Sequence, residues 1–342
     1  MSKDRIKIQW LTKSSAMLAY FENTKNIQFT GGTLYEIDAI NAIKKKYNVT
    51  LNTHYVKHEN FIKYYLKQHK RTIDADICVA DPYVLACNKL DKNKFNIAMI
   101  HHIDENLAKQ SILGKWFLKQ LLKQLKEVDL VVVVSQFWKT YLEEKQIKNI
   151  EIIYNSYEDK DYQFGVSKID NLKNKLQLDR NKPTIYLGKY SKGKGVEEIL
   201  RHLDHSKYNL VVSGKNTPQN SAVKSIYLPK NEFPLLLEMA DVVLAMSTMP
   251  EGWNRIAHES LLMKTPVIGS GTGGMGELLQ RSGQKIVTDY SQLDKEIMCC
   301  IEEKKKRGEL GYSFVKQFDM RYFEKRWLEV IETFDDKSKN RN

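Results

Sequence analysis

Residues 251–259 read EGWNRIAHE, placing two carboxylates, Glu251 and Glu259, eight positions apart beside an apolar helical pattern. Two glutamates invite the acid and nucleophile of a hydrolase, but retaining glycosidases hold theirs about 5 Å apart across one bond. A separation along a loop and a helix points instead to carboxylates that accept hydrogen bonds from different parts of one elongated ligand. Upstream, Gly188-Lys189 follows the apolar run PTIYL, and the loop YSKGKG continues to Lys194-Gly195 ahead of the helical run VEEIL. Glycines let backbone N–H groups approach a phosphate, and two lysines supply the point charges a diphosphate needs. The same loop also reads as a lysine-rich surface turn. In the first half, Gly31-Gly32-Thr33 precedes the helical pattern LYEIDAINAIKKKY, either as a helix start facing an anion or as an ordinary glycine turn. Downstream, TPVIGSGTGG ends an apolar run in glycines whose amides are expected to face the same ligand.

Positioning these residues requires strands that end where the ligand sits. Short runs rich in β-branched residues recur between longer segments of helical period: IKIQWL, VTLNTHY, ADICVA, NIAMIHH, DLVVVVS and IEIIY. A polar piece, YEDKDYQFGVSKIDNLKN, reads as a connector, and a second series follows with PTIYLG, NLVVSG, SIYLP, DVVLAM, TPVIGS and QKIVT. Strands alternating with helices imply a parallel sheet, and continuous apolar strands imply helices on both faces. The class is therefore α/β, with two doubly wound domains whose ligands bind at the carboxyl ends of the strands, in a cleft between the domains. In that frame Glu251 sits at the exit of the strand DVVLAM, Glu251-Gly252-Trp253 forms the loop, and Asn254 caps the helix that carries Glu259. Segment 13–30, between the first strand and Gly31, is a candidate acceptor-binding loop.

The 342 residues, 42% of them hydrophobic, are more than one ordinary core needs and suit two domains of about 150 residues. The start MSKDRIKIQW has no apolar signal region, and no stretch approaches the roughly 20 apolar residues of a membrane span, so a cytoplasmic protein is expected. Cys78, Cys87, Cys299 and Cys300 lack metal-ligand spacing; neither zinc nor a disulfide is expected, and the adjacent pair reads as buried small residues of a helix. A formal charge of +12 suits an anionic partner, whether nucleic acid, anionic lipid or a phosphorylated ligand.

Two further stretches have more than one reading. Residues 106–127 set an apolar stripe of Leu118, Leu121, Leu122 and Leu125 beside Lys115, Lys119, Lys123 and Lys126, with Trp116 and Phe117 near the boundary. Such a helix packs on its own sheet with a solvated lysine face, or lies on anionic lipid at the inner face of a membrane. Near the C-terminus, YSFVKQFDMRYFEKRWLEVIETF places Phe318, Tyr322 and Trp327 at helical spacing as packing residues, followed by a tail, DDKSKNRN, expected to be disordered.

Taken in order, these motifs resemble the retaining glycosyltransferases of family 4. The resemblance runs along nearly the whole chain: Gly31-Gly32 before the first long helix, a histidine after a first-domain strand (His101 or His102, with His102 taken first), Asn155 in IIYNS, Gly188-Lys189, Lys194-Gly195, the Glu-x7-Glu of Glu251 and Glu259, and TPVIGSGTGG. The fold it implies is GT-B, two Rossmann-like domains facing across a cleft. Residues 1–157 with a returning C-terminal helix, 319–335, would bind the acceptor, and residues 158–318 the nucleotide sugar.

The resemblance implies that Lys189 and Lys194 carry the donor diphosphate and stabilise the leaving group. Glu259 corresponds to the ribose-binding glutamate, and Glu251 to the one beside the donor sugar, at its 3-hydroxyl. Gly32, Gly188, Gly252, Trp253 and Asn254 complete the donor site, and the histidine reaches the sugar or the acceptor. It further implies a UDP- or GDP-linked co-substrate, a glycan or lipid-linked acceptor, no other cofactor, and reaction on one face without a metal. Asp74-Ala75-Asp76 matches the D-x-D by which the other large transferase fold holds a divalent ion, but it leads into a strand and is read as structural. The competing readings are a basic nucleic-acid-binding scaffold, disfavoured because the lysines form no single stripe with interleaved aromatics, and a GT-B sugar phosphorylase or nucleotide-sugar epimerase.

Overall fold

The computed structural model describes residues 6–24, 29–53, 74–87, 90–157, 164–214, 216–229 and 231–339. The chain divides into two compact units, residues 1–156 with 321–342, and residues 157–320. Each is built on a six-stranded sheet whose strands all pair in parallel.

In the first unit the strands are β1 (Lys7–Thr12), β2 (Asn48–Thr53), β3 (Ile77–Ala80), β4 (Phe95–Ile100), β5 (Leu130–Val133) and β6 (Ile150–Ile152), in the order β2-β1-β3-β4-β5-β6. Every residue of β3, β4 and β5 is buried, as apolar strands covered on both faces must be. The helix Met320–Lys339 returns to this sheet: Trp327 lies 5.4 Å from Trp10 between ring centroids, and Phe323 lies 4.9 Å from Tyr35. The segment read as a disordered tail is helical as far as Lys339; residues 340–342 lie outside the described residues.

In the second unit β7 (Thr184–Lys189), β8 (Asn209–Ser213), β9 (Val223–Ile226), β10 (Val242–Ala245), β11 (Val267–Gly269) and β12 (Lys285–Ile286) follow the order β12-β11-β10-β7-β8-β9. The order reverses between β7 and β10, the switch point at which an open parallel sheet leaves room for a ligand. One core joins Ile185, Leu187, Leu210, Val212, Val242, Leu244 and Ile268 from the strands to Val196, Ile199, Ile297 and Cys300 from the helices.

Several elements differ from their sequence expectation. The expected connector contains the helix Val166–Lys175, held by buried Leu172 and Leu176 on one face; residues 158–163 lie outside the described residues. Segment 13–30 contains the helix Ser15–Phe21, whose N-cap Ser14 accepts from Met17 N, with 25–28 not described. Strand β9 begins at Val223 and stops at Ile226, so the Tyr227-Leu228-Pro229 of SIYLP lies beyond it. The lysine-rich stretch is two helices, Asn106–Gln110 and Ile112–Leu125, because extended Ser111 breaks the first and caps the second by accepting from Gly114 N. Of the adjacent cysteines only Cys300 is buried, since successive helical residues point about 100° apart. All four cysteines are free thiols.

At the switch point of the first sheet, between β1 and β3, Asp81 is buried and ties the two strand exits together. Its carboxylate accepts from Thr12 Oγ1 at 2.8 Å, from Lys13 N at 2.7 Å and from Val84 N at 2.8 Å. Burial, reinforced by the nearby Glu36 carboxylate and opposed by these donors, raises its pKa from 3.8 to about 6. The folded state therefore binds this proton more tightly than the unfolded chain. Stability from Asp81 is greatest below the unfolded value and declines as pH rises to about 6, by roughly 3 kcal/mol in all. Urea midpoints of wild type and Asp81→Asn, compared from about pH 4 to about pH 7, are expected to show the wild type's relative stability falling as pH rises. A pH-independent difference would refute this account of Asp81.

Candidate functional site

Strand exits of the second sheet bring the sequence motifs together. Lys189 is the last residue of β7 and is exposed. The loop after it turns through Gly193 and Gly195, both at positive φ, and is fastened to the exit of β10: Gly193 O accepts from Thr248 N at 3.0 Å and from Ser247 Oγ at 3.1 Å. A Cβ on Gly195 would stand 2.1 Å from Met246 O, so only glycine lets the two loops lie this close. On the far side of that contact, Lys194 Nζ meets Glu251 Oε1 at 2.5 Å, both partly buried.

Glu251 is itself placed by the glycine run after β11. Gly274 N donates to Glu251 O at 2.9 Å, and Glu251 forms an isolated bridge with Gly273. The amide of Gly274 is thus spent inside the protein, where the sequence suggested amides turned toward a ligand. The glycine that matters is Gly273, at φ +66, where a Cβ would lie 2.3 Å from Glu251 O and 2.7 Å from Glu251 N.

After Glu251 the chain passes through buried Gly252, Trp253 and Asn254. The Asn254 side chain accepts from Ala257 N at 2.9 Å and starts the helix Arg255–Leu262. The Trp253 indole turns inward, donating from Nε1 to His258 Nδ1 at 2.9 Å and meeting Phe318 edge-on. Only the backbone of residue 253 is therefore available to a ligand. Fully buried His258 stays neutral, its pKa pushed well down by burial and, second, by the Arg255 charge. Glu259 lies on the same helix, with Arg255 Nε 3.2 Å from its Oε1, and the Arg255 guanidinium covers the Tyr157 ring at 4.4 Å. Arg255 is a residue the sequence reading passed over, although the i,i+4 spacing of an arginine and a glutamate signals such a pair.

In the first unit the two consecutive histidines part company. His102 is exposed. His101 turns inward against Gly32, where a Cβ would be 3.1 Å from His101 Cδ2, and its Nε2 lies 3.2 Å from Glu36 Oε1. Gly31 and Gly32 form the first turn of the helix Gly31–Lys44, capped by Thr30, whose side chain accepts from Thr33 N. Neither Glu36 nor its partner Trp10 stood out in the sequence. The Asp74-Ala75-Asp76 motif lies at the amino end of its sheet: Asp74 pairs with Lys7 Nζ at 3.0 Å and Asp76 accepts from Lys7 N at 2.9 Å. Among the described residues no cluster of three or more histidine, cysteine, aspartate or glutamate side chains is arranged to hold a metal ion.

Comparisons with known proteins place the fold. No protein-family model matches the chain. A Methanocaldococcus jannaschii protein named as an uncharacterized glycosyltransferase is 25% identical over 256 residues, spanning 66% of each chain. Among solved structures, HepE of Anabaena in complex with UDP-glucose is similar with a TM-score of 0.75 at 18% identity, over 96% of this chain and all of HepE. Sucrose-phosphate synthase of Thermosynechococcus elongatus gives 0.77 at 15% identity, over 97% and 100% of the two chains. WaaG, a glycosyltransferase involved in lipopolysaccharide biosynthesis, gives 0.72 at 13% identity over 95% and 99%. The chain has the two-domain Rossmann-like GT-B fold.

The placement of Glu251 by a glycine is open to direct test. Gly273→Ala is expected to lower stability by on the order of 3 kcal/mol, since the added carbon meets backbone on both sides at a left-handed φ. Gly165→Ala, whose nearest neighbour atom would be 3.9 Å away, should change it by under about 1 kcal/mol. Equal melting shifts for the two variants in a thermal scan would contradict this view of the loop.

Proposed function

We propose that the chain is a retaining glycosyltransferase, of the family 4 type that its Glu-x7-Glu motif resembles, moving a sugar from a nucleotide sugar to a hydroxyl acceptor. The observation that carries this reading is the meeting of Lys194 and Glu251 at the switch point of the second sheet, with Lys189 and Glu259 on the adjoining strand exit and helix. Support for a UDP-linked donor comes from HepE, solved with UDP-glucose and with UDP.

In this reading Lys189 and Lys194 bind the diphosphate, and Lys194 exchanges Glu251 for it as the donor enters. Glu251, released, accepts from the sugar 3-hydroxyl, and the backbone of Gly252–Asn254 lines the sugar. Glu259, oriented by Arg255, takes the ribose hydroxyls. The bond from the anomeric carbon to the diphosphate breaks while the acceptor oxygen bonds to that carbon on the same face, and the acceptor proton passes to the departing phosphate oxygen. The lysines lower the barrier because they stand where negative charge develops. No metal is assigned to this step, since the D-x-D of Asp74 and Asp76 lies at the amino end of its sheet and is engaged with Lys7.

The acceptor, a glycan or lipid-linked glycan, is assigned to the first unit. There Ile112 is 86% exposed and Leu113 52% exposed at the start of the helix Ile112–Leu125, flanked by exposed Lys109, Lys115, Lys119 and Lys123, while Leu121 and Leu125 pack inward. No helix among the described residues is long and apolar enough to cross a membrane. This basic helix start with an apolar tip suits the surface of an anionic bilayer.

UDP-glucose at about a hundred times its dissociation constant should stabilise the wild type by roughly 2.7 kcal/mol. The shift is expected to survive a chelator and to vanish in Lys189→Ala. A panel of UDP, GDP, ADP and CMP conjugates in which none stabilises the protein, while DNA or RNA does, would end the transferase reading. In a flotation assay, vesicles containing phosphatidylserine should retain the wild type and lose Ile112→Asp/Leu113→Asp. Equal flotation of both proteins would remove the membrane surface from the proposal.

A further inference from the structure

The carboxyl end of the first sheet holds a polar relay of three side chains, two of which, Trp10 and Glu36, have no place in the donor site described above. Trp10, on β1, donates from Nε1 to Glu36 Oε2 at 2.8 Å. Glu36, on the helix Gly31–Lys44, offers its other oxygen to His101, which follows β4; His101 Nε2 and Glu36 Oε1 are 3.2 Å apart. The Glu36 side chain is 9% exposed and that of His101 18%. Tyr35 meets the imidazole edge-on at 5.1 Å, and Gly32 lies against Cδ2. Turning the ring over would set a C–H against the carboxylate, so one orientation is held.

The protons in this relay can be placed by chemistry. An indole N–H only donates, so Glu36 Oε2 is an acceptor. A carboxylate offers only acceptor oxygens, so the imidazole nitrogen is the donor across this contact. The shared proton therefore belongs to Nε2, and Glu36 accepts twice. The ring's other nitrogen, Nδ1, has no hydrogen-bonding partner among the described residues, on a side chain that keeps part of its surface exposed.

We propose that Glu36, anchored by Trp10, is a positioning residue that keeps the His101 proton on Nε2 and so presents a bare Nδ1 to accept a hydrogen bond from a sugar hydroxyl. The assignment of a sugar to Nδ1 rests on the transferase reading, whereas the tautomer does not. Which nitrogen is bare decides whether the histidine receives a hydroxyl proton or offers one.

The test is nitrogen NMR of the wild type carrying labelled histidine, with the His101 signals identified by their loss in His101→Asn. At neutral pH one protonated nitrogen, Nε2, and one bare nitrogen, Nδ1, are expected. A proton on Nδ1, alone or on both nitrogens, overturns the proposal, and this result requires neither a variant of Glu36 nor a substrate. Glu36→Gln, whose amide can donate to Nε2, should move the proton to Nδ1 and weaken binding of UDP-glucose about tenfold, the size of one hydrogen bond to the sugar, while binding of UDP is little changed. Retention of the Nε2 proton in Glu36→Gln would also overturn it. In a wild type that binds UDP-glucose, a His101 Nδ1 signal that UDP-glucose leaves unmoved overturns the sugar-hydroxyl assignment while the position of the proton decides the role of Glu36 separately, and absence of UDP-glucose binding falls on the donor reading instead.

Discussion

Backbone approaching backbone is the constraint on which the second unit's strand exits depend. The loop after β7 lies on the carbonyl of Met246, and the loop after β11 lies on the backbone of Glu251, each at a distance that leaves no room for a β-carbon. Three loops from three parallel strands are thereby held edge to edge, with only short hydroxyl side chains such as Ser247 and Thr272 bridging them. A charge placed on such loops gains precision from the covalent geometry of the chain, which deforms far less readily than a long side chain settles into a rotamer. Lys194 and Glu251 inherit their positions from glycines packed against backbone.

Pairing of opposite charges completes the arrangement. Lys194 with Glu251 and Arg255 with Glu259 are both partly withdrawn from water, where removing one partner strands the other at a substantial cost. In the absence of ligand each group therefore has a satisfied resting state. The first unit handles its acids differently: Asp81 is met by one hydroxyl and two backbone amides, and Glu36 by an indole and an imidazole. Neither acid lies beside a lysine or arginine in these contacts, and each instead ties strand exits of its sheet to neighbouring loops and helices.

Much of this was legible from sequence because buried parallel strands are written as apolar runs rich in β-branched residues, and the twelve strands among the described residues fall on or beside the runs read there. The cap at Asn254 and the place of Glu251 after β10 were legible for the same reason, being local to a recognisable strand and helix. Val166–Lys175 escaped because only Leu172 and Leu176 mark its buried face, too sparse a stripe beside so many polar residues. Trp10 and Glu36 escaped, and with them the partner of His101, for a different reason: Trp10 and Glu36 are 26 positions apart, Glu36 and His101 65, and each has an ordinary role on its own element. Convergence of that kind belongs to the order of the strands, which no local pattern records. The glycines after β11 were legible as important, but their function is to make room for Glu251, which depends on β10 and β11 being neighbours.

The two units are not equivalent in time. Residues 157–320 form one unbroken stretch, whereas the first unit is completed by residues 321–342. Trp10 is wholly enclosed only once Trp327 has reached it, and Tyr35 only once Phe323 has. On a ribosome the earlier-made sheet must therefore wait, with an aromatic face open to solvent, while the later-made unit emerges and closes its own core first. A domain that leads in sequence is thus completed only by residues that follow the whole of the second unit.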